Sequence, residues 1–451
     1  MKKSKKFVLV GLALLAAITM VLLPLAGCKT EVDPSTPQQE QPDGNTSGEG
    51  NNDNTSGENP GGSGKPQVAT YTVTFNANGG EAVTSQKVES GKTASTPDVP
   101  ELEGSWFLGW YSDSTLTKEF NFSAPVTADT TLYAKWSYRL HSKPTKLATY
   151  TGTASPTSTP AVADAVYVEF GDWPQTIKAD DVTVDETKSK TMGGLTYYLG
   201  SDGNHYVKQE EKAYGANYTY SDGSPVGQGG TTTKWFKVEP IVWRVLTDSY
   251  NGKSLLLAEK ILTGGIKWAD SSNNYQNSNI RKWLNGNNGT AVASDYTGGS
   301  GFLQTAFTTS AQDRIASTTV NNSAASTNPA SNPQQWNSGN NPYASDTPTT
   351  DKIFLLSEKE ATTSDYGFAE YNQYGTGSTR IRVTTDYAKA TGAYQSSTEG
   401  YGGWWWLRSP NYYFVDIARD IYNDGYAGSD NFVINTYGGV VPALSISLGG
   451  N

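Results

Sequence analysis

The alternation of apolar and polar residues divides the chain before any composition is counted. Residues 7–27 are almost continuously apolar and follow the four lysines Lys2, Lys3, Lys5 and Lys6. A basic head and a long apolar run predict a secretory signal peptide over residues 1–27, with a retained membrane span as the alternative. The next stretch, 29–67, is built from Gly, Asn, Ser, Thr, Pro, Glu and Asp, and Asn45-Thr46-Ser47-Gly48-Glu49 recurs as Asn54-Thr55-Ser56-Gly57-Glu58. So polar a segment buries too little surface to offset chain entropy, which predicts a disordered tether over 28–67. Period-two alternation starts at Tyr71-Thr72-Val73-Thr74-Phe75 and breaks at Asn76-Ala77-Asn78-Gly79-Gly80. It returns at Thr131-Leu132-Tyr133-Ala134-Lys135-Trp136, so strands bound a module at 68–137. A Thr/Ser/Pro/Ala stretch at 143–164 predicts a linker, 138–164 in all.

The remaining residues, 165–451, are enough for one large core. Val166-Tyr167-Val168-Glu169-Phe170 reads as a strand. Residues 238–246 and 254–258 read as a hairpin split by Asp248-Ser249-Tyr250-Asn251-Gly252. Ile280, Trp283 and Leu284 at i, i+3 and i+4 predict a capped helix, and 303–307 with 312–315 a second short one. Residues 351–357 read as a buried strand, and the polar run 318–350 as a functional insertion or a disordered loop. The expected architecture here is α+β, with two or more helices on a mostly antiparallel sheet.

Composition narrows the function. The chain has 451 residues, 36% of them hydrophobic, one Cys and two His. A lone Cys excludes a disulfide framework, and two His far apart exclude a multi-His metal site within one chain. No metal or cofactor is expected. Net charge is -10, and removing residues 1–27 takes away four lysines and no acid, giving -14. That balance disfavours nucleic acid as a partner.

Three resemblances extend this reading. Leu25-Ala26-Gly27-Cys28 looks like a lipoprotein lipobox, which implies lipidation at Cys28 and anchoring through membrane lipid. The implied location is the bacterial cell envelope, surface-exposed, on the outer membrane if the cell has two membranes. The order Tyr71-Thr72-Val73-Thr74-Phe75-Asn76-Ala77-Asn78-Gly79-Gly80, Gly109-Trp110-Tyr111 and Ala134-Lys135-Trp136 resembles the internalin-type B-repeat, a small ubiquitin-like β-grasp module of bacterial surface proteins. Trp106, Trp110 and Trp136 are expected in its core rather than as a sugar-stacking platform.

The C-terminal module, from Phe170-Gly171-Asp172-Trp173-Pro174 through Trp405-Trp406-Leu407-Arg408-Ser409-Pro410 to Gly439-Val440-Val441-Pro442-Ala443-Leu444, looks like an uncharacterised bacterial family. That family's C-terminal part is similar to C-type-lectin-like domains, including variable proteins diversified by retroelements, and often has Arg where Val441 stands. The resemblance implies an α+β C-type-lectin-like ligand-binding domain at 165–451. Trp404, Trp405 and Trp406 are expected in the core, and Arg408 in a buried ion pair.

Residues 411–437 hold five Tyr, four Asn, four Asp and two Phe, but no Lys, Glu, Gln, Met or Trp. Tyr, Asn, Ser and Gly suit a binding surface, giving rigid amphipathic area and adaptable hydrogen bonds. The five missing types are also those not reached when an Asn or Tyr codon is randomised at its first two bases. The ligand-contacting residues expected are Asn411, Tyr412, Tyr413, Phe414, Asp416, Arg419, Asp420, Tyr422, Asn423, Tyr426, Ser429, Asp430, Asn431, Phe432, Asn435 and Tyr437. Ile417, Ala418, Ile421, Val433 and Ile434 are expected as scaffold. Short strands joined by Asn-Gly and Asp-Gly turns are the plainer explanation of the segment, and a calcium site from Asp416, Asp420, Asp424 and Asp430 is a weaker one. The functional expectation is a surface-displayed, retroelement-diversified receptor or adhesin that binds protein or glycan and has no catalytic residues. A cell-envelope carbohydrate-processing enzyme and a structural surface protein are the alternatives.

Overall fold

The computed structural model describes residues 67–137, 140–150, 162, 164–192, 194–286, 301–329 and 341–448. The expected signal peptide, Cys28 and nearly all of the tether lie outside the described residues. Among the described residues no helix is long and apolar enough to cross a membrane.

The repeat contains β1 (Thr70–Asn76), β2 (Gln86–Glu89), β3 (Phe107–Tyr111) and β4 (Thr130–Trp136). They form one sheet in the order β2-β1-β4-β3, with β1 and β4 parallel at its centre. Alternation in β1 turns Val73 and Phe75 inward onto Val88, Trp110, Leu132 and Ala134. No helix crosses this sheet among the described residues. Trp110 and Trp136 belong to this core, as expected, but Trp106 does not. It is buried outside the repeat's own core, among Leu140 of the connecting segment and Tyr197, Val207 and Val238 of the C-terminal module, with its ring stacked 4.5 Å from that of His205.

Residues 140–150 connect the two modules and carry β5 (Thr145–Lys146). Seven strands follow: β6 (Tyr167–Ile177), β7 (Val184–Met192), β8 (Leu195–Gly200), β9 (His205–Glu210), β10 (Thr233–Tyr250), β11 (Lys253–Ala258) and β12 (Lys260–Ile261). Next come α1 (Asn279–Asn285), α2 (Phe302–Ala306), α3 (Thr309–Gln312), β13 (Thr318–Val320), α4 (Ala324–Thr327), β14 (Thr349–Asp351) and β15 (Ile353–Phe354). The chain ends with β16 (Val383–Thr384), α5 (Asp386–Ala390), β17 (Trp405–Pro410), β18 (Ile417–Ile421), β19 (Ser429–Phe432) and β20 (Ala443–Ile446).

The 18-residue β10 organises the main antiparallel sheet, pairing with β6 on one side and with β9 and then β11 on the other. Its register with β6 shifts between Pro240 and Val242, where proline supplies no ladder N–H. The β10–β11 hairpin expected from the sequence is present. It turns at Asn251 and Gly252 with φ of 50° and 74°, the left-handed pair that a tight hairpin requires.

The expected α+β C-type-lectin-like architecture is not the one adopted. Twenty strands among the described residues stand against five α-helices of four to seven residues. The apolar triplet Ile280, Trp283 and Leu284 does start a helix, capped by Ser278, but Gly286 ends it after about two turns at φ 72°. Helices this short cannot form a layer of their own and only plug the sheet faces. The module is β-dominated.

Candidate functional site

The expected ligand-contacting segment forms a separate antiparallel sheet in the order β17-β18-β19. All six side chains of β17 are buried, and the preceding Trp404 joins Trp405 and Trp406 in the core as expected. The Trp405 indole N–H donates to the Arg380 carbonyl at 3.1 Å, whereas the buried Trp406 indole N–H finds no acceptor among the described residues. Arg408 is buried and ion-paired with Glu360, also as expected. Burial alone would lower the Arg408 guanidinium, but the Glu360 charge and hydrogen bond hold it above its usual value.

Much of the polar character of 411–437 is spent inside this sheet. Asn411 is buried; its amide donates to Asp430 at 2.7 Å, and its carbonyl oxygen accepts from Tyr413 N–H at 2.7 Å. Arg419 is buried and bonds Asp430 at 3.1 Å and the Gly428 carbonyl at 3.2 Å. Asp420 is fully buried and accepts from Asn431 at 2.8 Å. Burial pushes the Asp420 carboxyl up to about 7, against the opposing hydrogen bonds of Asn431 and Ser429. Asn423 is buried in the turn before Gly425 and donates to the Tyr394 hydroxyl at 3.2 Å. Asn435 reaches Asn431 at 3.5 Å. Because Arg419 faces Asp430 and Asp420 faces Ser429 across the ladder, Asp420 and Asp430 point to opposite faces of the sheet. These two carboxylates therefore do not converge on one cation.

The rest of the segment is exposed. Tyr413, Phe414, Tyr422, Phe432 and Tyr437 stand out from the surface, while Tyr412, Asp416, Tyr426 and Ser429 are half-buried. Of twelve exposed large apolar side chains among the described residues, seven fall within 413–437. Besides those five aromatics they are Val415 and Ile434. Ile434, expected as scaffold, is 56% exposed, whereas Val433 is fully buried. The turns carrying these side chains are joined by the Val433 N–H to Asp416 carbonyl bond at 2.8 Å. Tyr413 and Phe414 have ring centres 6.4 Å apart. Val415 follows them in the same exposed turn, and Phe432, also exposed, lies opposite Ile417 across the β18–β19 ladder; these four side chains are termed the ridge.

A second aromatic group was not singled out in the sequence. Tyr214 packs against Tyr437 with ring centres 4.5 Å apart, against Tyr394 at 5.5 Å and Tyr218 at 6.4 Å. The Tyr218 hydroxyl accepts from Gln395 N–H at 3.2 Å, and burial pushes it up to about 12, so it stays protonated. The signal was present in Ala213-Tyr214-Gly215-Ala216-Asn217-Tyr218-Thr219-Tyr220, which has the same Tyr, Asn and Gly character as 411–437.

Both His residues lie where the two modules meet, each with its own partner. His141 bonds Asp172 at 2.9 Å, and His205 bonds the Ser137 hydroxyl at 2.9 Å. Burial would lower His141, but Asp172 outweighs it and holds the imidazole above its usual value. Burial, helped by Lys190, pushes His205 down to about 4. A cleft of about 740 Å³ also lies at this junction, between the Leu102–Trp106 loop and Leu199 and Phe307.

Comparison with known proteins follows the same division. Residues 71–135 match the Listeria-Bacteroides repeat domain, and residues 251–448 match a Domain of unknown function (DUF6273). The second match begins in the β10–β11 turn, yet β6 to β10 belong to the same sheet as β11 and β20. The chain is 42% identical over 79 residues to a "Putative Gly-rich membrane protein" of Evansella cellulosilytica, covering 17% of this chain and 9% of that protein. It is 44% identical over 73 residues to a "Putative membrane protein" of the same organism, covering 16% of this chain and 11% of the other. The chain thus spans only about a tenth of the length of these curated relatives.

Proposed function

We propose that this is an envelope-anchored binding protein, held by lipid at Cys28, that takes a protein ligand on the ridge formed by Tyr413, Phe414, Val415 and Phe432. The observation that carries the reading is the concentration of exposed apolar side chains in 413–437, seven of the twelve among the described residues. A surface patch of this kind is costly to leave in water and marks an interaction site. It is mounted on buried, hydrogen-bonded strands, so little conformational freedom is lost on binding. Acidity of the chain and the names of the two curated relatives, both called membrane proteins, fit display at an envelope.

The narrower form of the proposal is diversification by adenine-directed mutagenesis. It is confined to exposed positions such as Tyr413, Tyr422 and Tyr437, because Asn411, Arg419, Asp420 and Asn423 hold the sheet together. A near-identical copy of the 3′ end of the coding region beside a reverse transcriptase supports it, and an ordinary DNA neighbourhood removes it.

The test of binding uses cells displaying the full chain, probed with arrayed extracellular proteins. The triple substitution Tyr413→Ala, Phe414→Ala, Phe432→Ala is expected to weaken the selected interaction at least a hundredfold, since interface aromatics each contribute on the order of 1–2 kcal/mol or more. Equal binding by wild type and the triple variant overturns the assignment.

A further inference from the structure

Tyr218 of the Tyr214 group lines a cavity that the apolar ridge does not share, and Tyr214 and Tyr394 pack against Tyr218. The cavity measures about 690 Å³, and its wall includes Asn217, Tyr218, Thr219, Lys260, Gln395 and Ser397. That volume suits a short oligomer, within the usual range for small-molecule sites. Tyr218 belongs both to this wall and to the aromatic group, its ring centre 6.4 Å from Tyr214 and 6.5 Å from Tyr394. Two segments of the chain fix these rings. Gln395 N–H holds the Tyr218 hydroxyl, and the Asn423 amide holds the Tyr394 hydroxyl at 3.2 Å. Outside them, Tyr214 and Tyr437 remain 45% and 43% exposed in an edge-to-face pair. The wall is rich in hydroxyl and amide groups, and Lys260 has no carboxylate partner among the described residues.

We infer that this cavity and the tyrosines packed against Tyr218 form a binding site for a short oligosaccharide of equatorially substituted pyranoses. Such sugars present flat apolar C–H faces with hydroxyls around the rim, which requires aromatic faces beside many small polar groups. The tyrosines supply the faces, with hydroxyls at their far edges, and the cavity wall supplies donors and acceptors. A purely apolar ligand would strand the wall's polar groups without partners. A polyanion is opposed by the net charge of -10. Residues 214–218, 260, 394–397, 423 and 437 are distinct from the ridge residues 413–415 and 432, although Tyr437 is one of the seven exposed apolar side chains of 413–437.

Isothermal titration of the full chain, in a detergent without a sugar headgroup, tests it with chitotetraose and cellotetraose as probes. At least one tetrasaccharide is expected to bind, with Tyr214→Ala and Lys260→Met each weakening it tenfold or more. Tyr214→Trp should retain binding, and the ridge variant Phe414→Ala should leave it unchanged. Unaltered thermal unfolding of Tyr214→Ala separates lost contact from misfolding. If neither sugar binds, or if Tyr214→Ala and Lys260→Met bind as wild type does, the assignment is wrong. Loss of binding in Phe414→Ala with Tyr214→Ala unaffected also overturns it and moves the sugar to the ridge.

Discussion

At the residue scale, arginine behaves in this protein as a core residue. Arg244, Arg380, Arg382 and Arg408 are among its largest fully buried side chains. Arg380 shows the use: its guanidinium donates to the carbonyls of Gly425 at 2.6 Å, Glu370 at 3.1 Å, Ala369 and Gln373, clamping two loops together. The planar five-donor fork suits that task better than an ammonium would. Arg408 was legible because it follows a tryptophan run and precedes Ser409-Pro410, but the burial of Asp420 was not. Alternation gave no warning, since β18 is buried on both faces and its Arg419 and Asp420 find their partners on β19, at Asp430 and Asn431.

Asp420 yields a pH prediction. Its folded value of about 7 lies above the ordinary 3.8, so between these values the folded chain keeps a proton that the unfolded chain has lost. Its contribution to stability is therefore fully present below about 4 and is lost as pH rises through 7. Asp420→Asn should remove that component, so the difference in unfolding midpoint between variant and wild type should grow from pH 4.5 to pH 8. A difference that stays flat over this range contradicts the buried acid.

Among the elements, turns were easier to read than layers. The Asn251-Gly252 hairpin and the Ser278-capped helix α1 follow from local chemistry that needs no tertiary context. The balance of helix and strand did not. Short apolar triplets look alike in both periods, and only the stops at Gly286 and before Thr309 limit the helices to one or two turns. The exposed side chains of 411–437 were partly legible for the same reason. Composition marked the segment as unusual, but only the pairing of β17, β18 and β19 divides it into buried network and exposed ridge.

The turn before β19 is the element's weak point. Gly425 has φ 85°, and a Cβ there would lie 2.4 Å from the Ser378 hydroxyl oxygen. Gly425→Ala should cost roughly 1–3 kcal/mol, from left-handed strain plus the clash. Urea unfolding checks the value, and a loss below about 0.5 kcal/mol means the turn is not held as described.

On the scale of the whole molecule, the repeat is joined to the C-terminal module by more than its connecting chain. Trp106 leaves its own module to stack on His205, and Trp106 N–H and His205 share the Ser137 hydroxyl at 2.9 Å each. Sequence reading placed a linker here because 143–164 is rich in Thr, Ser, Pro and Ala, yet Leu140 is buried in this junction and β5 pairs with β6. His205 is held near 4, below the ordinary 6.5, so the unfolded chain takes up a proton first and stability is lost as pH falls through that window. This runs opposite to Asp420, and His205→Gln isolates it. Acid should raise hydrogen exchange at 104–107 and 205–207 in wild type between pH 6.5 and pH 4.5 more than in the variant. Equal acid responses would remove His205 from the junction's pH dependence.

The ridge at 413–415 and 432 is the proposed ligand site. Site-resolved photocrosslinking tests it most directly, with a photoreactive phenylalanine analogue placed in the full chain on living cells. Positions 414 and 432 are expected to capture the same partner, while the equally exposed Val99 and Val166 positions capture none. Crosslinks that favour 99 or 166, or that are absent from 414 and 432 while the displayed chain still binds, would place the ligand elsewhere on the protein.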